Sequence, residues 1–157
     1  MLAYPCVLHT RRDEETDMPY DEMMVAPMRG ELTSIGVKEL RNAAEVDAVL
    51  KNSEGTVLVF VNSVCGCAAG GARPGLKLAL THGTPPDTVT TVFAGQDVEA
   101  TKQARAYFDG APPSSPAIAL FKGGRIVALM QRWNIEGRMP QEIVGDLKKM
   151  FDAHCAK

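Results

Sequence analysis

Cys65 and Cys67, separated only by Gly66, are the residues of this 157-residue chain whose types and spacing point most directly to chemistry. A thiolate is a nucleophile and a metal ligand, whereas an ordinary cysteine, with a pKa of about 8.5, is mostly protonated at neutral pH. If the two thiols pair, the bond closes a small ring that reaches the preferred dihedral of about 90° only with backbone strain. Gly66 relieves part of it by reaching conformations closed to residues with a Cβ. The expected bond is labile and relatively oxidising, suited to exchange rather than stapling.

The flanking residues say how the pair is held. Val57-Leu58-Val59-Phe60-Val61 is an apolar run of strand length, and helix-tolerant Ala68 and Ala69 follow the cysteines, so the thiols sit in a strand-turn-helix. A helix N-terminus offers unpaired N–H groups and the positive end of its dipole, which favours a thiolate there. Cys65 comes first and is the candidate nucleophile. The strand 56–61 is apolar almost throughout and is expected in the middle of a sheet covered on both faces. The helix is predicted over about 67–82, with Leu76, Leu78, Ala79 and Leu80 inside, Gly70 and Gly71 poorly suited to it, and a kink at Pro74.

Around this unit the pattern alternates. Met23, Met24, Met28, Leu32 and Ile35 recur at helical spacing over 20–35 and are expected in the core, with a bend at Pro27. A short strand at 37–40 leads to a helix that Asn42 and Glu45 cap, with Val46, Val49 and Leu50 buried. A strand at 88–94 precedes a helix that Asp97 caps, reaching Phe108. After the proline-rich loop 110–116, strands 117–121 and 125–130 join through a Gly123-Gly124 hairpin. A last helix runs over 140–154 with Ile143, Val144, Leu147, Met150 and Phe151 on one stripe. The expected order is a helix followed by β-α-β-α-β-α-β-β-α, an α/β fold without repeats. Residues 1–17, polar and mixed in sign, read as a flexible N-terminal extension in which Cys6 is a bystander; 18–157 read as one domain.

A formal charge of −2 and a pI near 5.9 leave no basic footprint, so neither nucleic acid nor an anionic membrane is an expected partner. The chain shows no signal-peptide core and no run of about eighteen apolar residues, which points to a cytoplasmic protein. In a reducing compartment cysteines are catalytic, redox-sensing or metal-binding more often than structural.

The segments Val61-Asn62-Ser63-Val64-Cys65-Gly66-Cys67-Ala68-Ala69-Gly70, Val92-Phe93-Ala94-Gly95-Gln96-Asp97, Ser114-Ser115-Pro116 and Asp152-Ala153-His154-Cys155 resemble the bacilliredoxins, bacterial thioredoxin-like thiol-disulfide exchange proteins. The resemblance spans about residues 20–155. It implies a thioredoxin-like fold, a central mixed β-sheet flanked by helices with an extra N-terminal helix. It also implies removal of bacillithiol from S-thiolated client proteins, or exchange and isomerisation of protein disulfides, with bacillithiol as co-substrate and no tightly bound cofactor or metal. By motif, Cys65 would be the nucleophile, Cys67 the resolving thiol and Pro116 the cis-proline, with Ser115 opposite the cysteines. Asn62 and Ser63 are candidates to hold the turn or steady the thiolate, and the N–H groups after Gly66 are the preferred source of its stabilisation. Two departures stand out: the extension before Tyr20, and Ala117 where the family pattern has a polar Ser, a change expected to alter substrate contacts.

A rival reading is metal. Cys65, Cys67, His154 and Cys155 supply four zinc or copper ligands if the last helix ends near the turn. His82 reads as a helix-terminus histidine in solvent, and His9 belongs to the extension. Trp133, with Arg132 and Arg138, offers a contact surface for an anionic small thiol, although core packing is the expectation for the indole. A third reading, a binding module that merely uses the fold, is disfavoured by the intact pair of thiols.

Overall fold

The computed structural model describes residues 19–51, 53–81 and 83–156. The extension 1–17, with Cys6 and His9, and His82 lie outside the described residues. The elements follow the expected order: α1 (Glu22–Thr33), β1 (Lys38–Glu39), α2 (Ala43–Leu50), β2 (Thr56–Asn62), α3 (Arg73–Leu80), β3 (Thr88–Phe93), α4 (Val98–Ala106), β4 (Ala117–Lys122), β5 (Arg125–Met130) and α5 (Pro140–His154). A π-helical turn at Ala68–Ala72 and a 3-10 turn at Arg132–Asn134 complete it.

β2 is buried along its whole length because alternate side chains enter two different cores. Leu58 and Phe60 pack with Leu76, Ile143, Leu147 and Phe151 on the face covered by α3 and α5; Val57, Val59 and Val61 pack with Val46, Leu50, Ala100 and Ala104 under α2 and α4. The five-stranded sheet has the order β1-β3-β2-β4-β5. β1, β3 and β2 are parallel, and β4 and β5 turn back antiparallel. The turn between them is Gly123-Gly124, both at positive φ (60° and 79°), the left-handed conformation that a two-residue hairpin requires.

This register sets the site. Val61 pairs with Ala117, so the turn after β2 and the loop before β4 meet at one end of the sheet. Met130 pairs with Ile118, so the chain leaving β5 arrives at the same end. α5 starts there too, with Ile143 against α3, and runs about 22 Å to the opposite end.

Four expectations need correction. In α1 the buried residues are Val25, Arg29 and Leu32, while Met23 is 85% exposed and Met24 is exposed, because the stripe closes on a buried cation rather than on methionine. The predicted helix 67–82 forms as one helical run over 66–80, but residues 68–72 wind as a π turn inside it where an even α-helix was expected, and Pro74 follows directly after that turn. Leu78 is exposed. Asp97 precedes α4 but its side chain makes no cap, since its carboxylate binds Arg29 instead. Asn42 does cap α2, its Oδ1 accepting from the Glu45 N–H at 2.9 Å, while the Glu45 carboxylate reaches back to the Arg41 N–H at 2.7 Å.

Candidate active site

After the apolar run 57–61, β2 ends at Asn62, whose side chain organises the turn. Its Oδ1 accepts from the Ser63 N–H at 2.9 Å and from Arg73 Nη1 at 3.0 Å, and its Nδ2 donates to Met28 O in α1 at 3.3 Å. Ser63 Oγ then accepts from the Cys65 N–H at 3.0 Å. Arg73, 3% exposed, also donates to Ser63 O at 2.9 Å and pairs with Glu31. One guanidinium therefore holds Asn62 and Ser63 while α1 holds the guanidinium.

Cys65 and Cys67 are free thiols, half-buried, with their sulfurs 2.7 Å apart. Their ionisation is split. Burial pushes the Cys65 thiol up, but hydrogen bonds from Cys67, from Ser63 and from the Ala68 and Cys67 N–H groups outweigh it, and its pKa falls below the ordinary thiol value. Burial raises that of Cys67, as does its hydrogen bond to Cys65, against a smaller opposing pull from the Arg132 charge. One sulfur is thus the readier nucleophile and the other the proton-holding neighbour.

The Ser115-Pro116 bond is cis and both residues are buried beside the turn. The loop is tied to the segment after β5, where Gln131 Nε2 donates to Pro112 O at 3.1 Å, Ser114 Oγ bonds Gln131 Oε1, and the Arg132 N–H donates to Ser114 Oγ at 3.2 Å. An open groove of about 460 Å³ reaches Cys67 between Gly70 and Gly71 on one side and Arg132, Glu136 and Arg138 on the other. The indole of Trp133 is 60% exposed, not in the core, because the 3-10 turn carries it outward. Ala117 is 1% exposed and packed in the core under α2 and α4, so it offers a substrate no surface.

The metal reading fails on position. Cys155 is buried near Thr56, Asp87 and Lys122, at the start of β2, where burial raises its pKa. The seven-residue strand puts about 20 Å between it and the cysteine turn. α5 begins near the turn and ends away from it, and no group of three or more His, Cys, Asp or Glu side chains able to hold a metal occurs among the described residues.

Sequence reasoning missed two buried arginines. Arg73 is the sole charge between Glu54 and Lys77, and Arg29 stands at helical spacing within the Val25–Leu32 stripe; a lone charge in such a place is the signal that could have found each. Arg29 is 6% exposed and binds Asp97 at 2.6 Å, Glu22 at 2.7 Å and Glu39 at 3.3 Å, over the face of Phe93 at 5.3 Å.

Solved structures of thioredoxins share this fold. A mutant thioredoxin from Halobacterium salinarum superposes with a TM-score of 0.54 at 16% identity, covering 78% of this chain and 94% of that one. The oxidised mitochondrial thioredoxin 3 from Saccharomyces cerevisiae gives 0.51 at 17%, covering 76% and 98%. Residues 20–155 match the family described as disulphide isomerase. A bacilliredoxin of Koribacter versatilis is 52% identical over 136 residues, 87% of this chain and 94% of that protein, and one of Shouchella clausii is 50% identical over 143 residues, 89% and 99%. A thioredoxin fold with two thiols at the end of its central strand and such relatives is a thiol-disulfide oxidoreductase. Within that class, the chain belongs to the bacilliredoxin family.

Proposed function

We propose that this protein removes a low-molecular-weight thiol, bacillithiol, from mixed disulfides on client proteins through Cys65 and Cys67. The observation that carries the reading is the opposed ionisation of two touching thiols at the end of β2. The Cys65 thiolate attacks the small-thiol sulfur; the bond from that sulfur to the client sulfur breaks, and the client leaves as a thiolate that takes a proton from water. Cys67, once deprotonated, attacks the Cys65 sulfur, closes the Cys65–Cys67 disulfide and releases the small thiol. The client is reduced by the two electrons the protein loses. The same attack on a protein disulfide is the first step of isomerisation, which the matched family's description suggests. The relatives' name supports bacillithiol as the co-substrate. This chemistry suits a reducing cytoplasm, and no helix among the described residues is long and apolar enough to cross a membrane.

Intact-protein mass spectrometry tests it. The reduced protein and its Cys67→Ala variant are mixed with a bacillithiolated peptide. A bacillithiol adduct on Cys65 in the variant and an internal disulfide in the wild type are expected; no uptake by either protein overturns the reading.

A further inference from the structure

The groove beside the turn reaches Cys67 and Gly66 and is not lined by Cys65. Of its floor glycines, only Gly71 has a packing reason to lack a side chain. An added Cβ at Gly71 would lie 3.0 Å from Ile143 Cδ1, so that glycine lets α5 approach; at Gly70 and Gly66 it would meet nothing within 4 Å, and neither residue has a positive φ. A glycine inside a helical turn costs stability relative to alanine, yet at Gly70 nothing packs where its side chain would be. What Gly70 leaves is open space leading to one sulfur.

The opposite wall carries charge. Arg138 is occupied, donating to Asp146 at 2.5 Å and to Asn134 O at 2.7 Å. Arg132 stands 3.7 Å from Glu136, an exposed pairing, and its charge acts on the Cys67 sulfur. Asp146 engages Arg138 at close range and Glu136 stands farther from Arg132, so Arg132 is the cation of the wall whose charge acts on the Cys67 sulfur.

We propose that this groove is the approach route of the small anionic thiol that re-reduces the oxidised protein, and that it attacks Cys67 rather than Cys65. The inference rests on the reading that turnover leaves a Cys65–Cys67 disulfide. Two independent requirements of thiol-disulfide exchange agree: the nucleophile attacks the sulfur it can reach, and the better leaving group departs as thiolate. The groove opens onto Cys67, and attack there expels Cys65, whose thiolate keeps the hydrogen bonds from Ser63 and from the Ala68 and Cys67 N–H groups. The incoming thiolate forms a bond to the Cys67 sulfur as the Cys65–Cys67 bond breaks, and Cys65 leaves with the electron pair. A second small thiolate attacks the sulfur of the first, giving a small-molecule disulfide and the Cys67 thiolate, which takes up a proton. Two small thiols are thereby oxidised and the protein regains both thiols. Arg132 selects thiols carrying a carboxylate near the sulfur.

The test uses wild-type protein oxidised with diamide, so it does not depend on any client reaction. Oxidised protein is mixed with 3-mercaptopropionate, 2-mercaptoethanol or cysteamine, quenched by rapid alkylation and mapped by peptide mass spectrometry; rates are compared per thiolate. The small thiol is expected on Cys67 and the alkylating label on Cys65, with 3-mercaptopropionate about fivefold faster than 2-mercaptoethanol and cysteamine slowest. Arg132→Gln should remove that order, and Gly70→Leu, whose Cβ meets nothing within 4 Å, should slow all three thiols. Adducts on Cys65, failure to form the internal disulfide, or a charge order unchanged in Arg132→Gln overturns the proposal. Failure of the client reaction, by contrast, shows as no adduct in the Cys67→Ala experiment with the bacillithiolated peptide.

Discussion

At the scale of the residue, the two thiols share a hydrogen bond, and sharing separates their chemistry. The Cys67 hydrogen bond is the largest of the effects that favour the Cys65 thiolate, and the same bond holds the proton on Cys67. Alkylation by iodoacetamide should therefore rise with pH in two steps, Cys65 below and Cys67 above the ordinary thiol value. In Cys67→Ala the first step should shift to higher pH, since burial of Cys65 stays while its strongest counterweight is gone; an unmoved midpoint would assign the acidity to Ser63 and the backbone N–H groups alone. The thiol pair, Gly66 and the Asn62-Ser63 lead-in were legible because they are local: strand end, turn and thiols follow one another directly from Asn62 to Cys67. Arg73 was not. It joins the turn from eleven residues beyond Asn62, through a π turn that no periodicity announces.

At the scale of the element, α1 is joined to the sheet through Arg29, whose guanidinium meets carboxylates from α1, β1 and the residue before α4. Hydrogen bonds to Asp97 and Glu22 outweigh its burial and keep it charged at any working pH. Removing it leaves Asp97 poorly solvated and unpaired, so Arg29→Ala should lower stability in urea denaturation by about 3 kcal/mol, while Met23→Gln on the exposed face should change it by no more than about 0.5 kcal/mol. Equal effects would mean that α1 is held by its apolar contacts alone. Element types and order followed from apolar period and from Gly and Pro, and the capped α2 and the α5 stripe appeared where they were expected. Along 20–35 the inward Leu32 and Ile35 followed from the spacing but the methionines did not, because methionine spacing and an arginine with three partners compete and only the arrival of partners from β1 and from before α4 decides. Asp97 was misassigned for the same reason: an acid before a helix reads as a cap until a buried cation claims it.

At the scale of the whole molecule, the ends of β2 have different uses. One end carries the Cys65 and Cys67 thiols; at the other, Cys155 sits buried beside Thr56, its pKa raised. Native-state alkylation at pH 8 should label Cys65 and leave Cys155 unlabelled, and Cys155→Ala should keep the exchange rate within about twofold while costing roughly 1 kcal/mol of stability. Loss of exchange in that variant would place Cys155 in the reaction. That separation was invisible in sequence, where His154-Cys155 and the Cys-Gly-Cys turn offered four ligands and nothing fixed which end of the last helix meets the turn. The two cores divide the molecule the other way, face from face. Among the described residues, none of α2 or α4 lines the groove or hydrogen-bonds to the cysteine turn. Lys102, exposed on α4, is therefore a handle: fixed to a bead through that residue, with Cys67 replaced, the protein becomes a solid-phase reagent whose reactive end still faces solution.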